Sequence, residues 1–160
     1  MTSVPATARY KRPVSVLVVV YTTALDVLLL ERADFPDHWQ SVTGSQEAGE
    51  TLADTALREL AEETGIDARL HGGVRDWDAH RDFEIFAQWR HRYPPGTTHN
   101  TEHVFSLDVG APVPVELSPR EHLRHAWLPW EAAAARCFSW SNRDAILALP
   151  ARVDKTKKRA

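Results

Sequence analysis

Two rhythms of apolar residues run through the chain, one with the period of a strand and one with the period of a helix. Residues 11–21 (K-R-P-V-S-V-L-V-V-V-Y) are β-branched and almost continuously apolar, which predicts a buried strand. Residues 22–26 form a turn and 27–31 a second strand. Pro36 and two aspartates make 33–38 a loop, and 39–43 predict a short strand. The rhythm then changes. Ala53, Ala56, Leu57, Leu60, Ala61 and Thr64 recur at steps of three and four, the spacing of one helix face. Thr51 and Asp54 give the start signal of that helix, and Gly65 its stop.

Beyond Gly72-Gly73 the pattern weakens. Residues 83–93 (F-E-I-F-A-Q-W-R-H-R-Y) predict a strand that alternates only in part, Pro94-Pro95-Gly96 a turn, and 102–109 a returning strand. Four prolines between Pro112 and Pro129 predict irregular structure around Glu121. Residues 130–137 and 141–149 predict helices. The first nine residues or so make a loose start, and the basic residues of 151–160 a frayed, disordered tail. Residues 1–150 then form a single domain. One helix among mixed strands with further helices at the end gives an α+β class.

Composition narrows the function. The chain has 160 residues, of which 43% are hydrophobic, enough for one core. Its net charge of −3 offers no field for nucleic acid, leaving only the short basic tail for such a contact. A single cysteine, Cys137, excludes an internal disulfide framework and cysteine-based zinc, and reads as a small buried hydrophobe. Val14 to Tyr21 is too short to span a bilayer. The first residues lack the apolar core of a signal peptide. The expectation is a cytoplasmic protein without nucleic-acid or membrane partners. The eight histidines show no metal-binding pattern; His122 and His125 merely flank Glu121. No P-loop or catalytic triad is visible.

The informative segment is 44–66, G-S-Q-E-A-G-E-T-L-A-D-T-A-L-R-E-L-A-E-E-T-G-I. On a helix Glu59, Glu62 and Glu63 stand at i, i+3 and i+4, crowded on the face opposite the apolar one. Like charges so placed oppose folding unless offset, and hard divalent cations offset them. Arg58 can hold a neighbouring carboxylate in one orientation. The spacing of Gly44, Glu50, Arg58, Glu59, Glu62, Glu63 and Gly65, with aliphatic Leu60 and Ile66, would arise by chance at roughly one position in a billion. It resembles in full the signature of the Nudix hydrolases, which use divalent metal to cleave diphosphate linkages.

That resemblance implies a mixed sheet sandwiched between helices and Mg²⁺, with Mn²⁺ as a substitute. Glu59, Glu62 and Glu63 would be ligands and Arg58 a member of the catalytic set oriented by Glu50. Further stretches are similar to the branch of the family that acts on pterin triphosphates in folate synthesis. They include D-H-W-Q-S-V-T-G-S, F-E-I-F, R-H-R-Y-P-P-G-T, N-T-E (Asn100 to Glu102), E-H-L and S-W-S-N-R. This similarity implies substrate contacts at Lys11, Arg32, Thr43, Phe83, Glu84, Ile85, Phe86 and Ser139, and a metal ligand at Glu121. Lys11 and Arg32 suit phosphate, Phe83 and Phe86 a flat ring, and Glu84 an amino-pyrimidinone edge. On a strand, however, Phe83 and Ile85 would face one way and Glu84 and Phe86 the other. Ser139 could equally cap the last helix. The implied reaction is hydrolysis of a triphosphate to monophosphate and pyrophosphate, with Glu59, Glu63 or Glu121 as the base. Cleansing of dATP or an oxidised purine triphosphate is the alternative, and a non-catalytic nucleotide sensor a more distant one.

Overall fold

Strand β1 (Val14–Thr22) sets the layout. In the computed structural model residues 10–159 are described, with side chains to residue 153; the expected loose start lies outside them. Side chains alternate along a strand, so β1 sends Val16, Val18 and Val20 into one apolar cluster and Leu17, Val19 and Tyr21 into another. It therefore needs cover on both faces, which explains its unbroken run of aliphatic residues.

β6 (His99–Gly110) runs parallel to β1, from Val14 opposite Thr101 to Thr22 opposite Gly110. β2 (Asp26–Arg32) and β4 (Val42–Ser45) pair antiparallel with β1. β3 (Trp39–Gln40) and β7 (His122–Pro129) pair with β2, and β5 (Arg75–Glu84) forms the far edge against β6. The main path through the sheet is β3-β2-β1-β6-β5. Helix α1 (Leu52–Thr64) covers one face through Ala56 and Leu60. Helices α2 (Trp130–Arg136) and α3 (Trp140–Arg159) cover the other through Ala133, Ala134, Ala145, Ile146 and Leu149. This is the expected mixed sheet between helices. No helix among the described residues is long and apolar enough to cross a membrane.

Helix α1 begins and ends where its sequence signals lie. Thr51 Oγ1 accepts from the Asp54 N–H and the Asp54 carboxylate accepts from the Thr51 N–H, each at 3.1 Å. Gly65 closes the helix at φ 74°, a left-handed turn that suits glycine.

Three expectations are corrected. Residues 83–93 are not one strand. Phe83 and Glu84 end β5, and the chain turns into a 3-10 helix over Ala87–Arg92. The turn is held by Arg90, whose Nε donates to the Ile85 carbonyl at 2.9 Å. The earlier part of β5, R-D-W-D-A-H-R-D, is an edge strand with few apolar residues and a bulge between Asp76 and His80, so its periodicity is faint. Second, the proline-rich segment is irregular only through Glu121; after it comes β7, paired along all of β2 from Asp26 opposite Pro129 to Arg32 opposite His122. Third, residues 151–159 are not a frayed tail: α3 continues through Pro150 to Arg159. Beyond the proline, Arg152 donates to the Trp77 carbonyl at 2.9 Å and stacks 4.9 Å from the Trp77 ring, tying the segment to β5.

Leu60 is fully buried between α1 and the sheet. Leu60→Ala is expected to cost roughly 2–5 kcal/mol, measured by chemical denaturation.

Candidate active site

The site starts from Arg58, which lies between the helix and the loop before it. Its Nε and Nη2 donate to the two oxygens of Glu50 at 2.6 and 3.0 Å. Nη2 also donates to the Ser45 carbonyl at 3.0 Å. Nη1 donates to Glu59 and, at 3.3 Å, to Glu62. One guanidinium thus binds the loop 45–50 to the helix and sets the angle of Glu59. Its hydrogen bonds lead the causes that hold the Glu50 carboxyl down at about 2, ahead of the Glu47 N–H and the Thr55 hydroxyl.

The glutamates do not share one solvated face as the periodicity predicts. Glu59 is 9% exposed and Glu63 3%, whereas Ala53 and Ala61 of the expected apolar face are exposed. The reason is Gly44, which lies against α1. A methyl group there would sit 2.0 Å from Glu59 Oε2, so only glycine leaves room for the carboxylate to turn inward beneath β4. Glu63 accepts from the Thr43 N–H and faces Glu59. Burial, then that contact and charge, then the Glu121 charge push its pKa well above the usual carboxylate range. One Glu63 oxygen, Oε1, has no hydrogen-bond partner among the described residues. It lies 3.7 Å from Nε2 of His122, itself buried and held down at about 4 by desolvation and then by Arg32.

A buried carboxylate with an orphaned oxygen, facing a second carboxylate fixed by arginine, suits a hard cation that accepts only oxygen ligands. As the side chains stand, no three acidic, histidine or cysteine groups among the described residues converge on one point. Glu62 points outward, its side chain 53% exposed, and does not line the cavity. Glu121 lies on the cavity rim, in a turn whose carbonyl accepts from the Ala33 N–H at 2.9 Å.

The two glutamates open into a cavity of about 910 Å³. Every residue for which a substrate contact is expected lines it: Lys11, Arg32, Thr43, Phe83, Glu84, Ile85, Phe86 and Ser139. The strand argument against Phe83 to Phe86 acting together fails because β5 ends at Glu84 and the turn brings Phe86 around. The polar groups are already partly engaged. Arg32 grips Asp34 with two bonds of 2.8 Å and stacks 4.3 Å from Trp89. Glu84 is tied to Arg90 at 2.6 Å with its side chain 68% exposed. The Thr43 hydroxyl donates to the Val16 carbonyl at 2.8 Å, leaving its main chain to act in the site. Ser139 is the cap of α3, its Oγ accepting from the Asn142 N–H at 3.3 Å. Lys11 is lowered by desolvation and by the charges of Arg92 and Arg32, against the pull of Glu59 and Glu63.

Sequence reasoning missed Arg92, Asn100, Glu102, His122 and Phe138, all of which line the same cavity. Arg92 joins Arg32 on Asp34 at 2.9 Å. Asn100 and Glu102 rise from its floor on β6. The base is locked to α3 by Asn142, which accepts from the Ser41 N–H at 2.8 Å and donates to the Ser41 hydroxyl at 3.0 Å. The N-T-E and S-W-S-N-R stretches held the signal, but nothing in their local pattern gave their direction.

A mixed sheet between helices, with an arginine-clamped glutamate pair on α1, defines a class, and the NUDIX domain model matches residues 11–149. The chain belongs to the NUDIX family. It is 50% identical over 139 residues to dihydroneopterin triphosphate diphosphatase of Escherichia coli K12, covering 86% of this chain and 91% of that protein. The Haemophilus influenzae protein of the same name is 41% identical over 140 residues, covering 86% and 87%. The solved E. coli dihydroneopterin triphosphate pyrophosphohydrolase superposes with a TM-score of 0.81 at 49% identity, over 86% of this chain and 94% of that one.

Two outcomes follow from this geometry. Gly44→Ala is expected to displace the Glu59 carboxylate and lower hydrolysis about 100-fold with the far-ultraviolet dichroism of the native fold. The second concerns Glu102, pushed up to about 7 by burial, which Ser141 and then Arg81 only partly offset, against an ordinary value of 4.5. Between those values the folded state holds the extra proton. Glu102 therefore contributes stability that declines as pH rises from about 4.5 to about 7 and is lost above. Denaturation at about pH 5 and about pH 8 is expected to show a smaller loss in Glu102→Gln than in the native protein.

Proposed function

We propose that the protein hydrolyses 7,8-dihydroneopterin triphosphate to dihydroneopterin monophosphate and pyrophosphate, a step of folate synthesis. The observation that carries this reading is the Glu59–Glu63 pair at the mouth of a cavity whose other walls are cationic and aromatic, in a chain half identical to an enzyme of that name. The cavity wall carries cationic and aromatic groups together. Lys11, Arg32 and Arg92 suit the phosphate chain, and Phe83, Phe86 and Phe138 suit a flat ring.

Mg²⁺, with Mn²⁺ as a substitute, would be held by Glu59 and Glu63 with Glu121 on the same cavity wall, Glu62 reaching it only by turning inward, and would neutralise phosphate charge and acidify water. Arg58 keeps Glu59 aimed at the phosphates. The Thr43 N–H holds Glu63. Water adds to one phosphorus, its proton passes to Glu59, Glu63 or Glu121, and the bridging P–O bond breaks with release of pyrophosphate. Glu121 lines the same cavity, and its charge acts on Glu63.

Glu63→Gln keeps the buried volume but removes the charge. It is expected to lower turnover by roughly 10²–10⁴-fold while the protein stays folded. Pyrophosphate release measured with and without Mg²⁺, over dihydroneopterin triphosphate, dATP and oxidised purine triphosphates, tests the whole reading. Near-native turnover by Glu63→Gln removes the metal assignment. Equal efficiency on all substrates removes the pterin assignment in favour of nucleotide cleansing.

A further inference from the structure

A carboxylate stands among the cations proposed for the phosphate chain. Asp34, in the loop between β2 and β3, lines the cavity together with Lys11, Arg32 and Arg92. A bare acid there would repel a polyanion. Asp34 is not bare. Arg32 donates through Nε to Oδ1 and through Nη2 to Oδ2, both at 2.8 Å, and Arg92 donates through Nη2 to the same Oδ2 at 2.9 Å. The two guanidiniums come from the end of β2 and the end of the 3-10 helix, and they meet on one oxygen. Positive groups that close repel each other, and the carboxylate between them offsets this. The Arg32 hydrogen bonds lead the causes that hold Asp34 down at about 2, so it is ionised at neutral pH.

The surroundings fix the same pair. Arg32 Nη1 donates to Gln40 Oε1 at 3.1 Å, and the guanidinium lies 4.3 Å from the Trp89 ring. The Arg92 carbonyl accepts from the Lys11 N–H at 2.8 Å, and the Ala33 N–H, next to Asp34, donates to the Glu121 carbonyl at 2.9 Å. The loop of Asp34 thus ties the cations to the turn that carries Glu121. Neither arginine is used up. Each has five N–H groups. Arg32 commits three of them to these bonds and, among the described residues, Arg92 commits one.

We infer that Asp34 is a positioning residue that joins Arg32 and Arg92 into one preorganised cradle for the polyphosphate chain. The inference rests on the proposed function for the kind of ligand and adds the group that sets its grip. Asp34 touches no reacting atom. It gives up one positive charge of the cavity in exchange for two guanidiniums fixed in place, and a fork fixed in advance loses less freedom on closing over phosphate. Stability does not account for the arrangement, because all three side chains are partly exposed and such ion pairs contribute little.

Asp34→Asn tests this by sign, since it makes the cavity more positive while untying the two forks. Calorimetry with inorganic tripolyphosphate in metal-free buffer reads the cradle without ring, metal or turnover. The Kd of the variant is expected to rise about tenfold. KM for the triphosphate substrate rises by a similar factor, with kcat within about threefold of native. An unchanged or tighter Kd, which charge alone would give, or a loss confined to kcat, overturns the inference. Should native protein leave dihydroneopterin triphosphate uncut while the variant still loses tripolyphosphate affinity, the proposed substrate fails and the cradle stands. If Asp34→Asn does not fold, judged by thermal melting, Asp34→Glu keeps the charge and moves the carboxylate by one methylene. The same loss is expected there, and native affinity overturns the inference.

Discussion

A single guanidinium holds the site together. Arg58 spends its donors on a carboxylate and a carbonyl from the preceding loop and on two carboxylates of its own helix. Without it, Glu50, Glu59 and Glu62 would repel one another, and the loop from Gly44 to Glu50 would keep only the Thr55 hydroxyl bond of Glu50 as a side-chain tie to α1. Because Arg58 is only partly exposed, its bonds act in a medium less screened than bulk water. Fixing Glu59 through that clamp leaves Glu63 as the buried carboxyl without an arginine partner. Site polarity therefore follows from how one helix is tied to one loop.

Sheet and helix play different parts. β1 is apolar on both faces because two layers rest on it. Only at its start does it change character, with Ser15 in place of an aliphatic residue. There Thr43 and Ser45 of β4, and Asn100 and Glu102 of β6, surround it. The cavity is thus the end of the sheet where the second helical layer stops short, and its polar floor is a continuation of the core face.

What could be read from the sequence depended on how local the cause was. The capping box, Gly65 and the aliphatic run of β1 are written in neighbouring residues, and the folded chain shows them where the pattern places them. β7 was hidden because its pairing partner, β2, lies about ninety residues earlier, and prolines at its ends mask its alternation. The turn at Ile85 depends on an arginine five residues later. In the site, a helical wheel set Glu59 and Glu63 on the solvent side. Their inward direction came from Gly44, on another element. His122 and Glu102 carry no local signature of burial. They became visible only when β6 and β7 were placed, since what identifies each is an absent hydrogen-bond partner.

The lock between Ser41 and Asn142 spans 101 positions in the chain, and Ser141 beside it completes the surroundings of Glu102. During synthesis from the N-terminus the acidic helix emerges early, and the cavity wall that Ser139 and Asn142 complete stays open until the last helix docks. A partly made chain thus carries Glu59 and Glu63 before the cavity beside them is closed. The cavity wall is complete only with the final segment, so an intact C-terminal region becomes a condition for the shape of the site as well as for stability.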